Sequence, residues 1–226
     1  PKDVSFVFLD TETTGLPDDP DARVTELGMV RVSEGRIVAE CAMFVHPEVL
    51  TEEGMEVCTT ISHTDLADLE AGLSLDQVRM LLFAFCGSSE VYAFNRGFDE
   101  RMLARTLFGA DDADTQLRWG PCTMRAFGRR YAIYGSGGPD RDPVFSLWKA
   151  LQFVGLAFEG DAHRALTDAR AGARLQLGLM TGAYVPVIRE APESTILRLK
   201  ASSSTGTPSV RSRTTVRGSR ITLHGV

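Results

Sequence analysis

The chain lacks several features that define common protein classes. None of its apolar stretches approaches the roughly 20 residues that cross a bilayer, which predicts that it is not a membrane protein. The N-terminal residues lack the basic and apolar regions of a secretory signal, and the four cysteines include no Cys-x-x-Cys pair. No Gly-x-Gly-x-x-Gly motif follows a predicted strand, which argues against a nucleotide-binding oxidoreductase. We therefore expect an intracellular, cytoplasmic protein in a reducing compartment.

Negative charge is concentrated in the first 200 residues. The 226-residue chain has a net charge of -6, yet residues 201–226 contain four arginines and no acid, so residues 1–200 carry 20 basic and 30 acidic groups. An acidic body repels a phosphate backbone unless cations reverse the local field. Several carboxylates are therefore expected to bind metal ions, and the arginine-bearing tail is expected to contact nucleic acid or an acidic partner.

Hydrophobic periodicity predicts strands at first and then strands that alternate with helices. Strands are predicted at 4–9, 24–32, 36–45 and 91–94; helices after the capping box Ser74–Gln77, at 98–107, from Ser146 to Gly155 and at 164–180; and a loop at 135–142. This order indicates an α/β protein whose mixed central sheet is flanked by helices. We expect one domain at 1–183, a C-terminal extension at 184–200 and a flexible Ser/Thr/Arg-rich tail at 201–226.

Asp10 and Glu12 lie two residues apart at the end of the first predicted strand. Residues i and i+2 of a strand point to the same face, so both carboxylates project together. Close carboxylates repel each other, and the remedy is a shared proton or a bound metal, for which oxygen ligands favour Mg²⁺ or Mn²⁺. Alternatively, these acids cap the turn that follows. The pair alone leaves both interpretations open.

Two later motifs also bring acids to the ends of predicted elements. Asn95-x-x-x-Asp99 leaves a strand and enters a helix, and His163 precedes Asp168 by five residues at the start of the last helix. Five helical steps separate two side chains by about 140°, so both cannot face one site from within a regular helix. His163 is therefore predicted to lie in the loop before the helix, and Asp168 about one turn inside it.

In this order the three motifs resemble those of the DEDDh 3′–5′ exonucleases, the family of the proofreading epsilon subunit of bacterial DNA polymerase III. The resemblance covers residues 4 to about 182 and implies a ribonuclease H-like fold with a mixed five-stranded sheet. It implies two Mg²⁺ or Mn²⁺ ions held by Asp10, Glu12, Asp99 and Asp168, with Asp10 shared by both ions. It also implies that His163 is the base that takes a proton from the attacking water.

Four further residues are candidates for substrate binding by this resemblance. Thr13 and Leu16 follow the acids in a turn that approaches the terminal nucleotide, where Leu16 either wedges beside the last base or is a core residue. Asn95 either orients the terminal sugar or braces its turn, and Phe98 either stacks on a base or packs in the core. Three nearby arginines are candidates for phosphate contacts: Arg96, Arg101 and Arg164.

The resemblance implies a metal-dependent exonuclease that removes nucleotides from the 3′ end of DNA in proofreading, repair or end-trimming. Its partners would be a nucleic acid 3′ end and a polymerase or another replication or repair protein. Two alternatives stay open: an RNA 3′–5′ exonuclease similar to ribonuclease T, and an inactive nucleic-acid-binding module on the same fold. Loss of a motif residue would favour the inactive module, and no motif residue is lost.

Overall fold

A computed structural model describes residues 4–133, 144–160 and 163–183 of the chain. Five strands form one sheet in the order β3-β2-β1-β4-β5: β1 (Phe6–Thr13), β2 (Val24–Ser33), β3 (Arg36–Phe44), β4 (Glu90–Tyr92) and β5 (Arg118–Trp119). Strands β1, β2 and β3 pair antiparallel, whereas β4 is parallel to both β1 and β5. The predicted mixed five-stranded sheet is thus confirmed.

Helices cover both faces of this sheet: α1 (Glu52–Thr60), α2 (Leu66–Glu70), α3 (Leu75–Cys86), α4 (Arg96–Phe108), α5 (Thr123–Arg130), α6 (Leu147–Val154) and α7 (Ala165–Thr181). The capping box of Ser74 and Gln77 forms at the start of α3, as predicted. Ser146 caps α6, which ends at Gly155 in the left-handed conformation. The elements β5, α1, α2 and α5 were not predicted, because each has nine residues or fewer, less than the window of about 11 to 18 residues over which a helical period is recognised.

The alternation of side chains along β1 divides the interior into two cores. Its odd-numbered apolar residues pack with α3 and α4, whereas Phe6 and Phe8 pack with α5, α6 and α7. Asp10 and Glu12 continue the even-numbered series, so they face the layer that contains α7. Helix α7 lies very close to β1 at Phe8. A Cβ added to Gly172 of this helix would lie 2.2 Å from the Phe8 ring.

Strand β1 is longer than predicted. It pairs with β2 as far as Thr13, whereas its pairing with β4 is confined to Val7 and Phe8. Asp10 and Glu12 therefore lie inside the strand rather than at its end, and the predicted boundary at Leu9 was wrong. Pairing with β2 maintains the strand through Asp10 and Glu12, whose residue types are depleted in strands.

Three predicted regions lie outside the described residues: the loop at 135–142, the extension at 184–200 and the tail at 201–226. Within the described ranges, each helix is too short or too polar to cross a bilayer.

Candidate active site

The C-terminal half of β1 extends past its pairing with β4 and is hydrogen-bonded to Asp99 of α4. The Thr11 amide and hydroxyl donate hydrogen bonds to Asp99 Oδ1 at 3.1 and 2.9 Å. Asp99 lies in the first turn of α4 and is only 3% exposed. The backbone of β1 therefore holds this carboxylate beside the strand that carries Asp10 and Glu12.

His163 and Asp168 come to the same place from α7. The helix begins at Ala165, so His163 precedes it, as predicted, and Asp168 lies in its first turn. His163 is exposed and has a φ of +61°, in the left-handed region. The ligand atoms of Glu12, His163 and Asp168 all lie within 4.8 Å of one another, a group that could hold a metal ion.

Ser62 fixes the orientation of Glu12. Its hydroxyl donates a 2.9 Å hydrogen bond to Glu12 Oε2. Ser62 lies in the loop that connects α1 to α2 and is fully buried. A buried hydroxyl that binds one carboxylate oxygen restricts the rotation of that carboxylate. Ser62 was not predicted from the sequence, because it belongs to no motif and its contact with Glu12 spans 50 positions of the chain.

Crowding of buried carboxylates changes their acidity. Burial, followed by repulsion from Asp99, Asp168 and Glu12, raises the pKa of Asp10 well above its ordinary value. Burial also raises the pKa of Asp99 to about 7 and, together with the charge of Glu12, raises the pKa of Asp168 to about 7. The pKa of Glu12 is raised by burial, against the hydrogen bond from Ser62. The site therefore favours either protons or a cation near neutral pH.

One carboxylate oxygen in this cluster has no partner within the described part of the chain. Asp168 Oδ1 is buried and accepts no hydrogen bond there. A buried oxygen without a donor is costly, whereas a divalent cation satisfies it directly. The residues present thus fit a hard metal ion that prefers oxygen ligands.

The candidate substrate residues differ in exposure. Leu16 is 65% exposed and is therefore not a core residue. Thr13 is buried, and its hydroxyl donates to the Gly15 carbonyl at 2.7 Å. Asn95 is exposed at the start of α4 and its side chain makes no capping bond. Phe98 is partly buried against the core under α3 and α4, which supports the packing alternative.

The three arginines considered for phosphate contacts each form an ion pair within the chain. These pairs are Arg96–Glu100 at 2.9 Å, Arg101–Asp111 at 2.7 Å and Arg164–Glu26 at 3.1 Å. The sequence pattern did not indicate Glu26, because an acid inside an apolar strand carries no sign of its partner 138 positions later.

Comparison with known proteins places the chain in a family. The RNase_T exonuclease family model matches residues 7–175. A Mycobacterium tuberculosis protein that carries the name bifunctional exonuclease/endonuclease is 30% identical over 75% of this chain and 25% of that protein. A PolC-type DNA polymerase III from Clostridium perfringens is 28% identical over 76% of this chain and 11% of the polymerase. The chain thus spans no more than about a quarter of the length of these relatives.

Solved structures share the fold. Zinc-bound Escherichia coli exonuclease I in complex with single-stranded DNA aligns with a TM-score of 0.61 at 17% identity, over 80% of this chain and 41% of that one. The nuclease domain of 3′hExo, a DEDDh family member bound to rAMP, aligns with a TM-score of 0.61 at 16% identity, over 83% of this chain and 97% of that one. The nuclease domain of 3′hExo thus shares the fold of this chain. With the family match over residues 7–175, which contain all the motif acids and His163, this chain belongs to the RNase_T exonuclease family.

Proposed function

We propose that this domain is a metal-dependent 3′–5′ exonuclease that removes nucleotides from the 3′ end of DNA. The observation that carries the proposal is the convergence of Glu12, His163 and Asp168 within 4.8 Å, beside a strand that also presents Asp10. Buried acids of raised pKa clustered with an exposed histidine are typical of a functional site.

The four carboxylates would hold two divalent cations, Mg²⁺ or Mn²⁺. Asp10 is the candidate ligand shared by both ions. The charges of Asp99, Asp168 and Glu12 all act on it, so it lies close to each of the other acids. When bound, such ions stabilise the attacking and the leaving oxygen of a phosphodiester during hydrolysis. The unpartnered Asp168 Oδ1 and the raised pKa of Asp99 support this ligand set.

His163 acts in this proposal as the general base. Its imidazole is exposed, adjacent to the acids and outside the helix, where it can take a proton from a water molecule near the cluster. Imidazole suits this task because its charge changes near neutral pH. Glu12, held by Ser62, lies close to the imidazolium that results.

The turn that follows β1 would receive the terminal nucleotide. Leu16 projects into solvent from this turn and is available to wedge beside the last base. The Thr13 hydroxyl is bound to Gly15, so contacts to the 3′-hydroxyl would come from backbone groups of the turn. Asn95 is exposed at the start of α4 and would orient the terminal sugar, whereas Phe98 packs against the core.

DNA is the proposed substrate because the relatives include PolC-type DNA polymerases and exonuclease I was solved with single-stranded DNA. The same relatives suggest a polymerase or a repair protein as partner. RNA is the second candidate, since the 3′hExo nuclease domain was solved with rAMP. The inactive-module alternative is disfavoured because all four acids and His163 are present.

The test is degradation of 5′-labelled oligonucleotides with Mg²⁺, Mn²⁺ or EDTA. Substrates are DNA and RNA, single-stranded, paired and 3′-mismatched, each also with a blocked 3′-hydroxyl. We expect the wild type to produce a ladder that shortens from the 3′ end, and Asp10→Ala and His163→Ala to be inactive. Asp112→Ala is the matched control, because Asp112 is an exposed acid beyond the far end of α4.

The outcomes separate the parts of the proposal. Equal activity of wild type and Asp10→Ala would refute the metal mechanism. Release of the labelled 5′ nucleotide first would refute the polarity, and faster degradation of RNA than of DNA would select the second candidate.

A further inference from the structure

The first turn of α7 rests on two residues of β2 that stand directly opposite the acids of β1. In the antiparallel register, Asp10 is paired with Gly28 and Glu12 with Glu26. Gly28 and Glu26 are therefore the strand neighbours of the two candidate metal ligands. Both of them contact the segment that carries His163 and Asp168.

Glu26 contacts this segment through an ion pair. Arg164 Nε and Nη2 bind Glu26 Oε2 and Oε1 at 3.1 and 3.3 Å. Glu26 is only 2% exposed, and a carboxylate this buried requires a partner. Arg164 thus binds both oxygens of Glu26, which is not among the residues of the candidate metal-binding group Glu12, His163 and Asp168. The guanidinium also lies over the Phe44 ring at 5.3 Å, so it is held from two directions.

Gly28 contacts the segment through its backbone. A Cβ at this position would lie 2.2 Å from the carbonyl carbon of Ala165 and 2.3 Å from its oxygen. The helix backbone therefore touches the strand, and only glycine allows this approach. The contact sets the height of the first turn of α7 above Asp10.

Arg164 connects the two contacts to the candidate catalytic residues. It is the N-cap residue of α7 and makes no side-chain capping bond. Its carbonyl accepts the Asp168 amide hydrogen bond at 3.0 Å, and His163 is the preceding residue. The backbone of Arg164 thus lies between His163 and Asp168, while its side chain is anchored to β2.

We infer that the Glu26–Arg164 ion pair, with the close contact at Gly28, is a positioning device that holds His163 and Asp168 opposite Asp10 and Glu12. The inference rests on the proposed function. It differs from the earlier expectation that Arg164 contacts phosphate. The charge of Glu26 adds to the repulsion that raises the pKa values of Asp10, Glu12 and Asp168, and the charge of Arg164 opposes this repulsion at Glu12.

The chain offers a matched control on the same helix. Arg170 of α7 pairs with Glu40 of β3 at 2.7 Å, six residues beyond Arg164. The two arginine side chains are exposed to nearly the same extent, 36% for Arg164 and 34% for Arg170. Arg170→Met therefore removes the same chemical group from the same helix without affecting its first turn.

The experiment compares the full chain as wild type, Arg164→Met, Arg164→Lys and Arg170→Met. We expect Arg164→Met to lower kcat about 10- to 100-fold with KM changed less than about threefold, since outer contacts of metal ligands have effects of this size. Arg164→Lys should recover part of kcat, because it keeps the charge but not the two-pronged geometry. Arg170→Met should match the wild type.

A second readout needs no activity. Thermal melting is followed while MnCl₂ alone is added, and the concentration that gives half of the maximal rise in Tm is measured. We expect this concentration to increase about tenfold in Arg164→Met and to be unchanged in Arg170→Met. Failure of the proposed function would appear instead as an inactive wild type, for which this Mn²⁺ readout still tests the positioning.

The double variant Glu26→Gln/Arg164→Met separates positioning from stability. It leaves no unpaired buried charge, so its Tm should return toward that of the wild type. We expect its kcat to stay low. A double variant that regains wild-type kcat would overturn the inference, as would an Arg164→Met variant equal to Arg170→Met in both kcat and Mn²⁺ response. A higher KM with unchanged kcat would instead assign Arg164 to phosphate binding.

Discussion

Replacing Asp168 by asparagine should stabilise the metal-free protein while abolishing its activity. The carboxylate of Asp168 lies among other buried acids, and its Oδ1 accepts no hydrogen bond from the described residues. Asparagine has nearly the same shape without the charge. The substitution therefore removes repulsion toward Glu12 and leaves the packing of α7 almost unchanged.

The size of the effect follows from the pKa of Asp168, which burial and the charge of Glu12 raise from 3.8 to about 7. A raised pKa means that the folded carboxylate is penalised once it ionises, so the penalty is absent below pH 3.8, grows as pH rises and is complete above pH 7. Each pH unit of this difference is worth about 1.4 kcal/mol, which gives an upper limit of about 4 kcal/mol. Because Asp168 is not fully buried, we expect a gain of about 2–3 kcal/mol at pH 8, or about 4–12 °C in Tm.

The assay is thermal or urea unfolding of wild type and Asp168→Asn in EDTA between pH 4 and pH 8. The two proteins should be similar at pH 4, and the variant should be more stable at pH 8. Addition of Mn²⁺ should raise the Tm of the wild type and reduce the difference. A variant that melts at or below the wild type at pH 8 would refute the reasoning.

Glu40→Gln is a control that should change the free energy of unfolding in the opposite direction, because it removes a stabilising charge. The hydrogen bond from Arg170 lowers the pKa of Glu40, so its charge stabilises the fold above its ordinary pKa and that contribution is lost as pH falls through the lowered value. The pair is partly exposed, and its removal should cost about 0–1 kcal/mol at pH 8.

Three further predictions concern single side chains at the site. Ser62→Ala removes the hydrogen bond to Glu12 and should lower activity about 10-fold, with a matching rise in the Mn²⁺ concentration needed for stabilisation; no change in either would exclude its orienting role. His163→Ala should lose activity yet keep the Mn²⁺-induced rise in Tm, whereas loss of that rise would make His163 a ligand rather than a base. Leu16→Ala should raise KM for oligonucleotides and leave Tm within about 1 °C, because the side chain is 65% exposed; unchanged KM would remove Leu16 from the substrate site.

The sequence predicted those elements whose signal is local. The capping box at Ser74, the helix stop at Gly155 and the position of His163 before α7 all depend on residues within one or two turns. Short elements such as α5 and β5 were not predicted because eight and two residues are too few for a periodic pattern to be distinguished from chance, and helices of this length depend on tertiary packing. The extension of β1 past Leu9 likewise depends on its neighbour β2.

The same distinction applies to the site. The acids and His163 were predicted because they stand in recognisable motifs, and α7 and β1 bring Glu12, His163 and Asp168 together. The residues that orient them, Ser62 and Glu26, were not predicted. Each acts across 50 or more positions of the chain, and a hydroxyl or an acid in isolation has no pattern that reveals its partner.

The position of α7 in the chain has a consequence for biosynthesis. Strand β1, with Asp10 and Glu12, is synthesised before His163 and Asp168. These two residues lie at the start of α7, which packs on β1 and β2. A nascent chain from which residue 163 has not yet emerged lacks two of the three residues of the Glu12–His163–Asp168 cluster, and the even-numbered face of β1 then packs without α7. If the proposed function is correct, the site is therefore assembled only after α7 has been made and has packed on β1 and β2.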